Sequence, residues 1–228
     1  DPEINKKKIK AAKIQELFDC DVLKIPKSPL KIVDDVTVEE VLIYYNAHIK
    51  IRENVEKIKD WYSPSVGQLS IKTARILCQR TNCWWDANLR RRFSVFLKYS
   101  SIVLFLIVLL LGYLANLTLI NFTLIASTLI PFFQFCIKQY NENNEAANRL
   151  KELIAYSVQI WNEALINSCD EQTMTTNSRR LQDAIFEHRI KNPLILNVFY
   201  KLFRDKDEEL MNRTSEILIQ EAVDNNCY

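Results

Sequence analysis

The 228 residues are 48% hydrophobic and 25% charged, with two Gly, six Pro and a net charge of +2. Such a balance excludes electrostatic capture of a nucleic-acid polymer. With only two Gly and two His there is no Gly-rich phosphate loop and no nucleophile motif, so the chain is expected not to be an enzyme and to hold no metal or resident cofactor.

Residues 3–18 space Ile4, Ala11, Ile14, Leu17 and Phe18 along one helical face, with Lys6, Lys7, Lys8, Lys10 and Lys13 largely off it. This fits either the cytoplasmic continuation of an earlier span or a plain amphipathic helix. The polar, lysine-rich start is no signal peptide. Pro26 and Pro29 break the chain into a loop. Thr37-x-x-Glu40 is a capping box for a helix through Val41, Leu42, Tyr44 and Tyr45. A further helical stretch carries Ile51, Val55 and Ile58, and Ser63-Pro64-Ser65-Val66-Gly67 is a turn. From Leu69 the helical pattern runs through Ile76, Leu77, Leu89 and Phe93 directly into an apolar run. Trp84 and Trp85 precede that run, where they suit a bilayer interface or a core equally well.

Between Tyr99 and Ile137 there is no Asp, Glu, Lys or Arg. A hydrocarbon core of about 30 Å needs about 20 apolar residues per helical span, so this stretch suffices for two spans and a tight turn. The turn is read at Ala115-Asn116-Leu117-Thr118-Leu119-Ile120-Asn121, with spans at about 95–115 and 119–137. One long buried soluble helix is the rival reading; it would lack any polar face. Arg90, Arg91, Arg92 and Lys98 precede the first span and Lys138 follows the second, so both polar regions are expected in the cytoplasm and the turn outside. Pro131 frees a carbonyl in the second span, a site for a kink.

Beyond the second span, Ala147, Leu150, Ile154, Val158, Trp161 and Leu165 form one apolar seam of a long helix. Helices are expected at about 178–191, ending before Pro193, and at about 205–222. The expected fold is all-α, a transmembrane hairpin (93–137) continuous with a cytoplasmic domain made of segments 1–92 and 138–228. Residues 1–98 carry +6 and residues 138–228 carry −4, which favours docking of the two segments. Cys20, Cys78, Cys83, Cys136, Cys169 and Cys227 include no CxxC pair, which points to free, mostly buried thiols in a reducing compartment.

At Lys13-Ile14-Gln15-Glu16-Leu17-Phe18-Asp19-Cys20, Lys59-Asp60-Trp61-Tyr62, Cys78-Gln79-Arg80-Thr81-Asn82 and Leu89-Arg90-Arg91 the chain resembles the four-transmembrane pore-forming effectors of bacterial cyclic-oligonucleotide anti-phage systems. The resemblance continues through Leu181-Gln182-Asp183-Ala184-Ile185-Phe186-Glu187-His188-Arg189, Asn192-Pro193, Tyr200-Lys201-Leu202 and Arg204-Asp205-Lys206. It implies a helical membrane protein encoded beside a nucleotide cyclase, damaging the membrane when the cyclase signals infection. Such proteins have two further spans near the N-terminus, whereas this chain has one hairpin; the expectation is a missing segment upstream of Asp1.

On the helix at 178–191, Leu181, Ile185 and His188 share one stripe and Gln182, Phe186 and Arg189 the next, while Arg180, Asp183, Glu187 and Lys191 form a solvated row. Polar groups near a core need partners. They either bond neighbouring helices or line a pocket for a cyclic oligonucleotide, Arg for phosphate and Gln for a base edge. The candidates are Arg75, Gln79, Arg80, Arg179, Gln182, His188, Arg189 and Arg204. In the second span Thr123, Ser127 and Gln134 share a stripe that lines a water path in an oligomer or bonds a neighbouring helix. The expected function is therefore a homo-oligomeric membrane effector, opened by a cyclic oligonucleotide from a partner cyclase. The alternative is a membrane-anchored helical scaffold or receptor without pore activity.

Overall fold

The computed structural model describes residues 2–28, 36–50, 59–167 and 170–225. The helical stretch expected through Ile51, Val55 and Ile58 lies outside the described residues, as do Pro29, Cys169 and Cys227. Among the described residues there are seven α-helices and no strand: α1 (Pro2–Val22), α2 (Val38–Ile49), α3 (Ile71–Leu114), α4 (Leu119–Thr128), α5 (Ile130–Asn167), α6 (Glu171–Lys191) and α7 (Asn197–Asp224), with a 3-10 turn at Pro64–Gln68.

The 44-residue α3 contains no Pro, and its one Gly, Gly112, comes near its end, so nothing interrupts the hydrogen-bond ladder over about 66 Å. It begins within the polar domain and ends at the tip of the apolar hairpin. Helix α5 lies antiparallel beside it, as three levels of packing show. Cys83 and Ala87 meet Leu150 together with Leu181 and Ile185 of α6. Nearer the hairpin, Phe93 and Leu97 meet Cys136, and beyond them the Phe105 and Phe133 rings stand edge to face at 6.2 Å. At the far end Ile76, Leu77, Trp161, Met174 and Ile219 form the largest core. Residues from both polar segments share this core, with Leu23 and Ile25 packed beside residues of α5 and α7.

The hairpin turns over four residues, Ala115 to Thr118, with Asn116 at a positive φ of 48°. It is shorter than expected because Thr118 caps α4, its hydroxyl accepting from the Asn121 backbone N–H at 3.4 Å. The returning arm breaks once. Helices α4 and α5 meet at 46° across Leu129, where the Pro131 nitrogen cannot donate to the Ser127 carbonyl and its ring crowds that oxygen. Only 11% of the apolar window of α3 is buried within the chain, so this is not the buried helix of a soluble core. Leu110, Leu111 and Phe135 are each more than half exposed, an apolar surface of the kind that meets lipid.

Two further differences from the sequence pattern stand out. Helix α1 does not bury the face of Ile4 and Phe18, which are 50% and 44% exposed; it buries Ala12, Glu16 and Asp19. Those two carboxylates have cationic and amide partners waiting on α6, and satisfying them outweighs hiding the apolar side chains. Helix α7 begins at Asn197, two turns before the expected 205, because Phe199 and Phe203 pack on each other and Phe199 packs on Phe93 and Phe96 of α3. At α2 the Thr37 hydroxyl accepts from the Glu40 N–H at 3.3 Å, and hydrogen bonds from its own backbone N–H and from the Thr37 hydroxyl hold the Glu39 carboxyl below its usual range.

Candidate functional site

The buried polar groups of α1, α3 and α6 form one connected network. Glu16 accepts from Arg179 Nη2 at 2.6 Å and from Gln182 Nε2 at 2.8 Å. Asp19, only 1% exposed, accepts from Arg189 Nη1 at 2.7 Å, Gln182 Nε2 at 3.0 Å and the Tyr62 hydroxyl at 2.6 Å. Asn82 then donates to the Tyr62 oxygen at 3.0 Å. Gln79 donates to Gln182 Oε1 and to the Ser178 carbonyl, and the Ser178 hydroxyl donates back to Gln79 Oε1. Burial between these groups pushes the Cys20 thiol up to about 11 and the Cys78 thiol to about 12, so both stay protonated.

Among the residues expected from sequence, Gln79, Arg179, Gln182 and Arg189 thus come together, and what they contact is protein. Arg179 also bonds the Pro26 carbonyl and Asp183. Arg75 donates to the Leu23 carbonyl at 2.7 Å and to Thr175 at 2.9 Å. Arg80 lies apart from the network, half-buried near Glu221. Arg204 pairs with Glu208 one turn on at 2.6 Å. His188 donates to Asp86 through Nε2 at 3.1 Å, and its Nδ1 is buried with no partner among the described residues. Burial, helped by the nearby Arg90 and Arg149 charges, holds this imidazole below its ordinary 6.5 despite Asp86. Asp86 in turn stays below the usual carboxylate range: burial works against its charge, but Arg90 and His188 more than offset it.

The cations flanking the first span divide. Arg90 is buried, bonding Asp86 at 3.0 Å, Asn143 of α5 at 3.0 Å and the Pro193 carbonyl at 3.1 Å. Arg92 makes 2.7 Å contacts with both oxygens of the fully buried Asp207 and lies 4.8 Å over Phe203. Arg91 and Lys98 are exposed, as is Lys138 beside Glu142. Thr123, Ser127 and Gln134 are exposed as well, with the Thr123 and Ser127 hydroxyls bonded back to the carbonyls of Leu119 and Leu124.

Beside the network opens a cleft of ≈ 310 Å³. Lys8, Ala12 and Gln15 of α1 form one wall; Asn82, Trp85, Asp86 and Arg90 of α3 form the other. Arg189, Asn192 and Pro193 close it at the end of α6, and Trp61 and Tyr200 complete the lining. Trp85 meets Tyr200 edge to face, ring centres 4.9 Å apart, so it is anchored in the domain. Three cations here face one carboxylate, in company with three aromatic rings. Lys8, Gln15, Trp61, Asn82, Asn192 and Tyr200 did not emerge as candidates from sequence, since they are spread over five parts of the chain, only Lys8 and Gln15 sharing an element. For all but Lys8, occurrence within the blocks at 13–20, 59–62, 78–82, 192–193 and 200–202 was the available signal.

The chain is 29% identical over 206 residues to a probable CBASS effector molecule of Bacillus cereus (strain VD146), a match that spans 89% of this chain and 66% of the relative. No solved structure matches. Residues 1–218 match the family described as the SMODS-associating 4TM effector domain. A match of that extent, on a chain with an exposed apolar hairpin, makes this a membrane protein that belongs to the SMODS-associating 4TM effector family.

Proposed function

We propose that the chain belongs to an effector of anti-phage defence that oligomerises and permeabilises the bacterial inner membrane when its cytoplasmic domain senses a cyclic oligonucleotide from a partner cyclase. The observation that carries this reading is the continuity of α3. One uninterrupted helix begins in the polar domain, lines the cleft with Asn82, Trp85, Asp86 and Arg90, and ends in the apolar hairpin. A rearrangement at Arg90, which also holds Asn143 of α5, acts on both arms of the hairpin at the point where they leave the domain. The ligand must favour the open assembly, since equal affinity for both states shifts nothing. The positive flanks support a cytoplasmic side for both polar segments.

One hairpin encloses no path, so the conducting state requires several chains or further spans. Thr123, Ser127 and Gln134, exposed on the returning arm, are the proposed lining. The test is dye release from liposomes carrying the full-length protein. Cyclic oligonucleotide is expected to trigger release, and Thr123→Val with Gln134→Leu to suppress it while cross-linked oligomers still form. Unchanged release removes that lining. A co-purifying protein partner with no conductance under any nucleotide supports the scaffold reading instead.

A further inference from the structure

The cleft holds polar and ring surface that the fold leaves unused. Among the described residues Arg189 bonds only through Nη1, to Asp19, so its Nε and Nη2 remain unengaged. Lys8 makes a single bond, to the Asn192 carbonyl at 3.2 Å. Asp86 is the one carboxylate of the lining, and it is already matched by Arg90. An anion entering here therefore meets the Lys8 ammonium, which pairs with no carboxylate among the described residues, and the two unengaged donors of Arg189, whose charge it shares with Asp19. Guanidinium and ammonium donors side by side are the chemistry of a phosphate contact.

An ordinary anion site needs no rings, yet Trp61, Trp85 and Tyr200 line both this cleft and a smaller recess of ≈ 30 Å³ adjoining it. Asn82 and Asn192 offer amides beside them, and Gln15 of α1 is exposed at the rim. Ring surface with amides at its margin is how proteins hold an unpaired base. Phosphate chemistry and base chemistry thus occur within one cavity.

We infer that this cleft binds one nucleotide unit of a cyclic oligonucleotide, its phosphate held by Lys8 and Arg189 and its base stacked among Trp61, Trp85 and Tyr200. The volume of ≈ 310 Å³ lies at the lower end of the range of about 300–1,000 Å³ for ligand pockets, which suits a single unit with the remainder of the ring outside. Because the walls come from α1 and α3, a bound unit draws α1 toward the helix that carries the first span. This assignment rests on the sensing role proposed above.

The experiment is a titration of full-length protein in lipid nanodiscs with cyclic di-AMP, cyclic di-GMP, cyclic tri-AMP and inorganic phosphate, followed by tryptophan fluorescence. At least one ring is expected to quench, with AMP or GMP competing at higher concentration. Trp61→Phe or Trp85→Phe is expected to reduce the quenching amplitude. Lys8→Glu lies outside the buried network and gives up one hydrogen bond, to the Asn192 carbonyl; it should raise Kd at least tenfold while lowering the melting temperature by only a few degrees, whereas Lys98→Glu leaves Kd unchanged. If wild-type protein binds a ring and Lys8→Glu and Trp85→Leu bind it equally well, the cleft assignment is overturned and direct sensing stands. Phosphate binding as tightly as the rings overturns it too. Wild-type protein that binds none of the rings overturns direct sensing and the cleft together.

Discussion

The pair Arg92–Asp207 provides the sharpest energetic test of how α3 is held to the domain. Asp207 on α7 is fully buried, and Arg92 is its partner through two 2.7 Å contacts. Arg92→Met removes the cation, keeps much of the aliphatic stem, and leaves a buried carboxylate uncompensated. Breaking a buried pair in this way costs about 3–5 kcal/mol. The Arg92 side chain is 30% exposed, so water relieves part of the penalty and the lower end applies, about 3 kcal/mol. Loss of the cation over Phe203 adds about 0.5–1 kcal/mol. At about 2–4 °C per kcal/mol for a chain of this size, the combined cost of about 3.5–4 kcal/mol lowers the melting temperature by roughly 7–16 °C. Replacing both partners, Arg92→Met with Asp207→Leu, restores most of it, because no charge is then left in the interior. Denaturant unfolding in micelles, followed by tryptophan fluorescence, measures the cycle. The reasoning is refuted if the single variant costs under about 1 kcal/mol, or if the double variant is no more stable than the single.

Two further outcomes are expected. His188 is held below 6.5 in the folded chain, so the folded state takes up fewer protons than the unfolded one, and stability falls as pH drops through about 6.5; Asp86, also held low, adds loss in the same direction at more acid pH. A melting temperature that declines between pH 7.5 and 5.5 in the wild type should be flatter in His188→Gln, and equal slopes would count against the assignment. In the hairpin, a Cβ at Gly112 would lie 2.7 Å from the Phe122 ring, so Gly112→Ala is expected to cost about 1–3 kcal/mol and Phe122→Ala to relieve it. Thermal melts of both in micelles decide the matter; a Gly112→Ala protein as stable as the wild type shows that the arms do not pack there.

Much of this architecture is legible in particular residues. The charge-free stretch from Tyr99, the turn at Ala115 to Thr118 and the break beside Pro131 all follow from local rules of hydropathy, capping and proline chemistry. The seam through Leu150 and Trp161 and the stripes of α6 follow from a 3.6-residue period. The same rule failed on α1, where the period of Ile4 and Phe18 marks a face that stays exposed. A helix chooses its buried face by what its neighbours offer, and α6 offers Arg179, Gln182 and Arg189 to Glu16 and Asp19.

What the sequence determined by itself is the pattern that depends on near neighbours: helices, caps, the turn, and a central stretch too apolar for water. Which polar groups are consumed in the interior and which are left facing a cleft was decided only by tertiary structure. Lys8, Trp61, Trp85, Arg189 and Tyr200 come from five separate places along the chain, and only the packing of α1, α6 and α7 around α3 brings them together. Composition and period record a residue's company along the chain. A binding cavity depends on company across it, which is set by how side chains from distant segments fill one volume.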